Sequence, residues 1–600
     1  MTSTRTRTVY ALALLFLLAF FFNWPYLLGG FSGDDLIFLN LLDNDPRPFS
    51  RLHGMWSVNQ LPFIDNTWWK DWTHPGDAGV FWRPIPSLVF EGSISLFGRN
   101  AFPLHLLSIL LHAGVAMCLY LLVRRVTGRR ILALLSGLFF VTCEDHSMQV
   151  GWIAGFTDLL CVQFIMLALL AHVSWLRRRK ALALAGSLSA LILAMGCKES
   201  ASVAPLAMIL LSFLMPSGSS DDSSRYGGLR SRFITVLKAP STWLPSVVVL
   251  GGYLITYRLL DMGGFDSLVY VNPLAHPGRY LARLVTQLPV LWTGTFSPIP
   301  PSLTMFWPDL LAPLAVSGLV LFLVWLVALR PFRSAPLVQW AMILYLVALL
   351  PQLAADASER ALYFPMIPAA ILLATVAATI APIARRGVQA ATQLPRFTRV
   401  VGWIAVLGVL LPGVLASTAA PWTYRPSFEM PLADLRTAMP FIEEHQPRHT
   451  MLLNTSGFML TLYTWDAVNY LSEEPQDVWT LSSANAVFTL EKTGDSSFVI
   501  SADRSGWLGN MFARILRTKP TLAAGDQYHT PVFDATIVRT TATGRDALAV
   551  RFDLVGPLDD PRWLFLRWNG RQFEPLNIAA LPRDSTIELA NTSDMWKSMY

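Results

Sequence analysis

The chain reads as a polytopic α-helical membrane protein of about eleven transmembrane helices with a C-terminal soluble domain of α+β or β-rich character. Three observations carry that reading. Charged residues make up only 14% of the 600, and mean hydropathy is +0.44, where a globular chain is about one-quarter charged. The apolar residues come in long blocks, as lipid-facing segments require. The texture then changes near residue 420: residues 1–420 carry 30 basic and 19 acidic side chains, whereas 421–600 carry 16 and 21. The positive excess therefore belongs to the apolar half, where it sets topology, and gives no reason to expect nucleic-acid binding. Cys118, Cys143, Cys161 and Cys197 all lie in or beside apolar segments, which suggests neither a disulfide framework nor a thiolate zinc site.

Met1–Thr8 carries Arg5 and Arg7 and precedes an apolar run over 9–28. No small-residue cleavage site follows, and Trp24-Pro25-Tyr26 has the make-up of an interfacial anchor, so the run reads as an uncleaved first helix. Further helices are expected near 104–123, 131–147, 150–176, 181–196, 200–215, 241–258, 311–329, 335–351, 365–384 and 400–418. Eleven crossings put every basic cluster on one side: Arg5 and Arg7, Arg124 to Arg130, Arg177 to Lys180, Arg225 to Lys238, Arg330 to Arg333, and Arg385-Arg386. The positive-inside rule makes that side, with the N-terminus, cytoplasmic. The segment 279–297 would break the alternation as a full span and is assigned as interfacial or re-entrant. The outer face then receives loop 29–103, loop 261–308 and the domain 421–600.

In that domain the neighbourhoods of 497–500, 548–552 and 563–568 cluster or alternate as strands do. The stretch 432–444 reads as a helix. Trp507, Trp563 and Trp568 are better explained as core than as platforms for sugar rings. There is no internal repeat, and the only biased tract is the Ser/Asp-rich loop at 217–224.

With so few charges in the membrane half, the polar residues at its outer helix ends stand out. Asp34 and Asp35 follow the first helix directly; adjacent carboxylates at an interface are costly without a task, and one can serve as a general base. His105 and His112 are seven residues apart and share a helix face. Glu144, Asp145 and His146 sit at an outer helix end, and Asp158 lies deeper. Arg83, Lys198-Glu199 and Glu359-Arg360 complete the set. Taken singly, each has an ordinary alternative as a loop acid, a buried histidine or a structural ion pair; their convergence on one side favours a site.

Together these blocks resemble the GT-C class of integral-membrane glycosyltransferases. The pattern is that of the transmembrane and tetratricopeptide-repeat mannosyltransferases and their bacterial relatives. Its elements appear here as Asp34-Asp35, Arg83-Pro84, Leu96 to Asn100, His105 with His112, His146 with Asp158-Leu159-Leu160, Lys198-Glu199-Ser200, and Glu359-Arg360 with Tyr363 and Pro365. Seven blocks in order over about 330 residues are specific where each alone is weak. Two positions depart from the pattern: Met148 stands where an acid follows the histidine, and Phe156 stands where an arginine precedes the aspartate. The repeats are absent, and 421–600 takes their place.

The resemblance implies a GT-C-like membrane domain over 1–420. It also implies transfer of a sugar from a polyprenyl-phosphate donor to a glycan, lipid or protein acceptor at the outer face, with inversion. Asp34 or Asp35 would be the base, with the first favoured. Arg360, Lys198 and Arg83 would hold the donor phosphate. His105, His112, Glu144, Asp145, His146, Asp158, Glu199, Glu359 and Tyr363 would line the pocket. Hard oxygen ligands such as the Asp pair suit Mg or Mn, but many relatives need no metal and none is assigned. The composition points to a bacterial inner membrane with the domain 421–600 in the periplasm. A transporter or flippase of lipid-linked glycans is the competing reading, although no paired Gly/Pro-broken helices mark matching halves. A non-catalytic scaffold is the third.

Overall fold

The computed structural model describes residues 4–44, 66–70, 81–214, 234, 236–260, 262, 267–380, 396–483 and 486–589. The basic pair Arg385-Arg386, the tract 217–224, most of the basic loop 225–238 and much of loop 29–103 lie outside these residues.

Each of the eleven expected apolar segments is largely helical over its described residues. Among the described residues six helices are long and apolar enough to cross a membrane: Arg5–Leu28, Phe102–Thr127, Ile153–Arg178, Pro308–Phe332, Pro336–Ala354 and Val406–His445. A seventh candidate, Arg130–Val141 with Glu144–Gly151, is bent by 57°. Ala181–Met195, Glu199–Leu214, Leu244–Leu259 and Met366–Ala378 are shorter. At 1.5 Å per residue they fall short of a hydrocarbon core of about 30 Å. The structure thus supports a multi-pass membrane protein with six to seven full-length candidates, fewer than the eleven expected. A further short apolar helix, Pro84–Phe97, lies inside the stretch expected to be an outer loop.

The segment 279–297 is broken. Helix Pro277–Thr286 ends at Gln287, and Leu288–Phe296 begins with Pro289 in its first turn. Neither piece can span. The second is held sideways against Leu311–Leu329: Trp292 stacks on Phe322 at 4.0 Å, and Thr293 Oγ1 donates to the Leu314 carbonyl at 2.7 Å.

The two ends of the bundle differ in chemistry. At one end Arg125 donates to Ser174 Oγ at 3.1 Å and Arg177 donates to the Arg125 carbonyl, so two of the basic turns meet. The helix Phe102–Thr127 runs from there, through 26 residues, to His105 at the other end. That other end is where the polar stretches gather.

The sequence change near 420 falls inside one continuous helix, Arg396–Arg436, of 41 residues with prolines at 412, 421, 426 and 431. The helix read over 432–444 is its last turn together with Met439–His445. Ten strands follow: β1 (His449–Leu452), β2 (Val478–Thr480), β3 (Phe488–Lys492), β4 (Ser497–Ala502), β5 (Gln527–His529), β6 (Phe533–Thr540), β7 (Ala547–Leu554), β8 (Trp563–Trp568), β9 (Phe573–Pro575) and β10 (Thr586–Leu589). The three expected strands are β4, β7 and β8. One sheet has the order β2-β1-β8-β9, with β1 parallel to both neighbours. Parallel pairing demands a crossover, and helix Leu460–Leu471 provides it between β1 and β2. The other sheet, β10-β3-β4-β7-β6-β5, is antiparallel throughout.

The sheets meet through Phe498 against Phe565 and Trp479 against Phe533. Trp507, Trp563 and Trp568 are all buried, as core residues. A further tryptophan comes from far away. Trp68, from loop 29–103, packs edge-on against Trp507, Tyr528 and Phe552, and its indole N–H donates to the Thr480 carbonyl at 3.1 Å. Asn66 beside it donates to Asp477 at 2.7 Å. The second loop is tied in as well: Leu268 N donates to the Arg517 carbonyl at 2.9 Å, and Arg514 lies 3.5 Å from Asp356. Both loops thus bind the C-terminal domain to the same end of the bundle.

Candidate active site

The site begins with the turn after the first helix. Pro25 ends regular α-structure, and a 3₁₀ turn over Trp24–Leu28 follows. His105 Nε2 lies 3.3 Å from the Gly30 carbonyl and anchors the loop. Gly33 has φ +55°, a left-handed conformation that glycine adopts without strain. Its open side faces Trp152 and Tyr463, which lie 3.5 and 3.6 Å from where a Cβ would stand. Helix Asp34–Asn44 starts there.

The adjacent aspartates do different work. Asp35 is fully buried. One carboxylate oxygen accepts from Ser32 N at 3.0 Å, and the other accepts from Ala154 N at 2.7 Å. Asp35 therefore locks the turn to the Ile153–Gly155 segment and has no oxygen to spare. Asp34 is half-buried. Its Oδ1 accepts from the Tyr463 hydroxyl at 2.8 Å, and its other oxygen accepts no hydrogen bond among the described residues. Burial raises the Asp34 carboxyl above the usual range, while Arg360, the Tyr463 hydroxyl and Arg83 pull it back. Burial raises Asp35 further, against its two backbone donors.

The three cations expected at the donor phosphate divide similarly. Lys198 Nζ lies 2.7 Å from both Asp158 oxygens, and both side chains are largely buried. Arg83 Nη2 pairs with Glu199 at 2.9 Å and its guanidinium covers Phe81. Arg360 is uncommitted: it makes no ion pair or hydrogen bond among the described residues. Its guanidinium lies over the Trp152 ring at 4.4 Å, and that indole donates to the Ser32 carbonyl at 3.1 Å. The same short turn that presents Asp34 thus also orients the platform under Arg360. Tyr270, half-buried, is close enough for its hydroxyl to feel both charges.

The remaining expected residues form two neighbouring groups. His112 Nδ1 lies 3.1 Å from the Tyr363 hydroxyl. His146 packs with its ring 4.3 Å from Phe140, 4.8 Å from Tyr363 and 5.1 Å from His112. These rings form a packed aromatic–imidazole layer. Glu144 and Asp145 line a narrow cleft between helices, with Phe139, Thr295, Met366 and Leu410 among its walls. Glu359 is turned away from Arg360: its side chain accepts from Ser302 N at 3.4 Å, and its carbonyl accepts from Gln149.

Asp34 and Asp35 do not converge on a common point. Among the described residues no three His, Cys, Asp or Glu side chains are grouped to hold a metal ion. The arrangement does not fit a bound Mg or Mn.

Sequence reasoning missed Tyr463, Tyr270 and the Asn40–Asp466 contact, in which the Asn40 amide donates to the carbonyl and to Oδ1 of Asp466, both at 3.0 Å. No local signal marks a tyrosine 429 residues from its aspartate.

Comparison with known proteins agrees with the motif series. Residues 74–226 match the family model described as dolichyl-phosphate-mannose-protein mannosyltransferase. That segment contains the five middle blocks, from Arg83-Pro84 to Lys198-Glu199-Ser200; Asp34-Asp35 and Glu359-Arg360 lie outside it. The resemblance to the GT-C class of integral-membrane glycosyltransferases is borne out. Among characterised proteins, the chain is similar to protein O-mannosyl-transferase Tmtc1 of Drosophila melanogaster, 25% identical over 279 residues covering 45% of this chain and 31% of that one. It is also similar to human TMTC1, 29% identical over 145 residues covering 24% of this chain and 16% of that one. The chain thus matches less than a third of either relative's length. The Archaeoglobus fulgidus oligosaccharyltransferase, solved with a tethered acceptor peptide, aligns over 79% of this chain and 64% of its own at 12% identity and a TM-score of 0.41.

Proposed function

We propose that the chain is a glycosyltransferase that moves one sugar from a polyprenyl-phosphate carrier to an acceptor hydroxyl at the outer face of the membrane, with inversion. The observation that carries this reading is a half-buried carboxylate, Asp34, with one oxygen that accepts no hydrogen bond among the described residues, within the field of an arginine that forms no ion pair among them. Asp34 takes the acceptor proton as the acceptor oxygen bonds to the anomeric carbon. The bond from that carbon to the phosphate oxygen breaks, and the polyprenyl phosphate departs with the electron pair. Arg360 meets the charge that grows on the phosphate, where a fixed guanidinium acts most strongly. The raised carboxyl of Asp34 suits a base working near neutrality. Arg83 and Lys198, expected at the donor phosphate, instead brace the site through their ion pairs with Glu199 and Asp158. The pocket residues His105, His112, Glu144, Asp145, His146, Glu359 and Tyr363 shape the walls around them. The reading places 1–420 in a bacterial inner membrane, the N-terminus in the cytoplasm and 421–600 in the periplasm.

The test is sugar transfer by purified protein in vesicles, with a panel of radiolabelled polyprenyl-phosphate hexoses and cell-envelope acceptors. Asp34→Asn should lower turnover by about 10² to 10⁴. Arg360→Gln should lower it by about 10² to 10³. Turnover of Asp34→Asn within tenfold of the parent overturns the base assignment. Label that crosses the vesicle without a covalent product would favour a flippase.

A further inference from the structure

We infer that Tyr463, brought by the C-terminal domain, is a positioning residue for Asp34, so that the membrane half holds an incomplete site until that domain docks. The inference rests on the reading of Asp34 as the base.

Tyr463 lies on the crossover helix Leu460–Leu471, between the parallel strands β1 and β2. Three positions of that helix, 463, 466 and 470, fall on one face by the i, i+3, i+7 rule. Each meets the turn or the helix that carries the base. Tyr463 donates to Asp34 at 2.8 Å, Asp466 receives Asn40, and the Tyr470 ring stands edge-on to Phe31 at 6.5 Å. Asn40 is six residues beyond Asp34, so the two hydrogen-bonded contacts are about 9 Å apart along the helix. Two fixed points at that spacing prevent helix Asp34–Asn44 from sliding or rolling against its partner. A Cβ at Gly33 would stand in ordinary van der Waals contact with both Trp152 and the Tyr463 ring, so the turn and the crossover helix adjoin there.

The phenol does two things to the base. It occupies Oδ1, which leaves the second oxygen to take the acceptor proton and fixes the plane of the carboxylate. It also favours the ionised form of a carboxyl that burial disfavours. Tyr463 is half-buried, so it borders the open side of the site. Nothing in the five blocks of the matched segment 74–226 supplies an equivalent donor to Asp34 among the described residues.

The experiment is the pH dependence of kcat/KM for transfer by the full-length protein and by Tyr463→Phe. Losing a hydrogen bond to a charged group should move the acid limb upward by about one pH unit. Well above the limb, turnover should recover most of its value. Asn40→Ala, which loosens the same helix pair without touching Asp34, should lower activity at every pH and leave the limb in place. If Tyr463→Phe loses activity equally at all pH with its limb unmoved, the phenol is only packing and the inference is overturned. Replacement of Tyr463 by 3,5-difluorotyrosine keeps the shape and strengthens the donor, so it should move the limb down; an unmoved limb there overturns the inference even if the Phe variant does not fold. Asp34→Asn in the same assay separates the two ideas: an active Asp34→Asn removes the base reading, whereas an inactive one with no limb shift in the Tyr463 variants removes only the inference.

Discussion

Lys198 offers a sharp test of how the cations are divided. Its ammonium sits 2.7 Å from both oxygens of Asp158, and the two side chains are 17% and 9% exposed. Removing one partner of so dry a pair strands the other charge. Such losses cost about 3 to 5 kcal/mol, while replacing both partners by apolar residues is often near neutral. Lys198→Met and Asp158→Leu should therefore each lower stability by about 3 to 5 kcal/mol, and the double variant should recover most of it. The coupling energy would be at least about 3 kcal/mol. The assay is a double-mutant cycle on unfolding in one detergent, with sugar transfer measured in parallel. Arg360→Gln, by contrast, should cost less than either Lys198→Met or Asp158→Leu, because Arg360 makes no ion pair or hydrogen bond among the described residues and only its field on Asp34 is lost. Additive losses in the double variant, or a stable Lys198→Met that has lost transfer, would refute the assignment of Lys198 to structure and return it to the donor phosphate.

Two further outcomes follow from the C-terminal domain. Burial pushes the Asp466 carboxyl up to about 7, partly opposed by Asn40. An unfolded aspartate ionises near 3.9, so the folded form holds its proton more tightly between these values, and stability falls as pH rises through that window. Asp466→Asn should abolish this fall and raise stability above pH 7 by about 2 to 4 kcal/mol, read as unfolding midpoints from pH 4 to 8; an unchanged slope would exclude the buried acid as its source. Trp68→Ala should cost about 3 to 5 kcal/mol, seen as earlier proteolysis of β5 to β7, because the cavity opens where Trp507, Tyr528 and Phe552 converge. Resistance equal to the parent would mean that the sheets close without it.

Much of the helical frame was legible because lipid demands continuous apolar runs. The polar residues of the site were legible because so few charges compete for notice in the first 420 residues. What could not be read was direction. Three adjacent pairs stood out, and each splits in the fold. Asp34 turns to Tyr463 while Asp35 turns to Ser32 and Ala154. Lys198 reaches Asp158 while Glu199 reaches Arg83. Glu359 takes Ser302 while Arg360 lies on Trp152. Successive side chains diverge by about 100° on an α-turn, by about 120° on a 3₁₀ turn such as Glu359–Leu362, and to opposite sides in extended backbone such as that of Lys198, so adjacency in sequence separates partners in space. The structural ion pairs weighed at Lys198-Glu199 and Glu359-Arg360 exist only for the first two residues, and with partners from other helices. The composition changes near 420, where the domain boundary is expected, yet the backbone continues through that point as one helix.

Trp68 also dictates an order of events during biosynthesis. Its acceptor carbonyl on Thr480 is 412 residues downstream. At about 5 to 20 residues per second the ribosome needs roughly 20 to 80 s to deliver it. Throughout that interval a large aromatic side chain waits outside the finished helices with no socket. The socket around Trp68 therefore cannot close before Thr480 has been made.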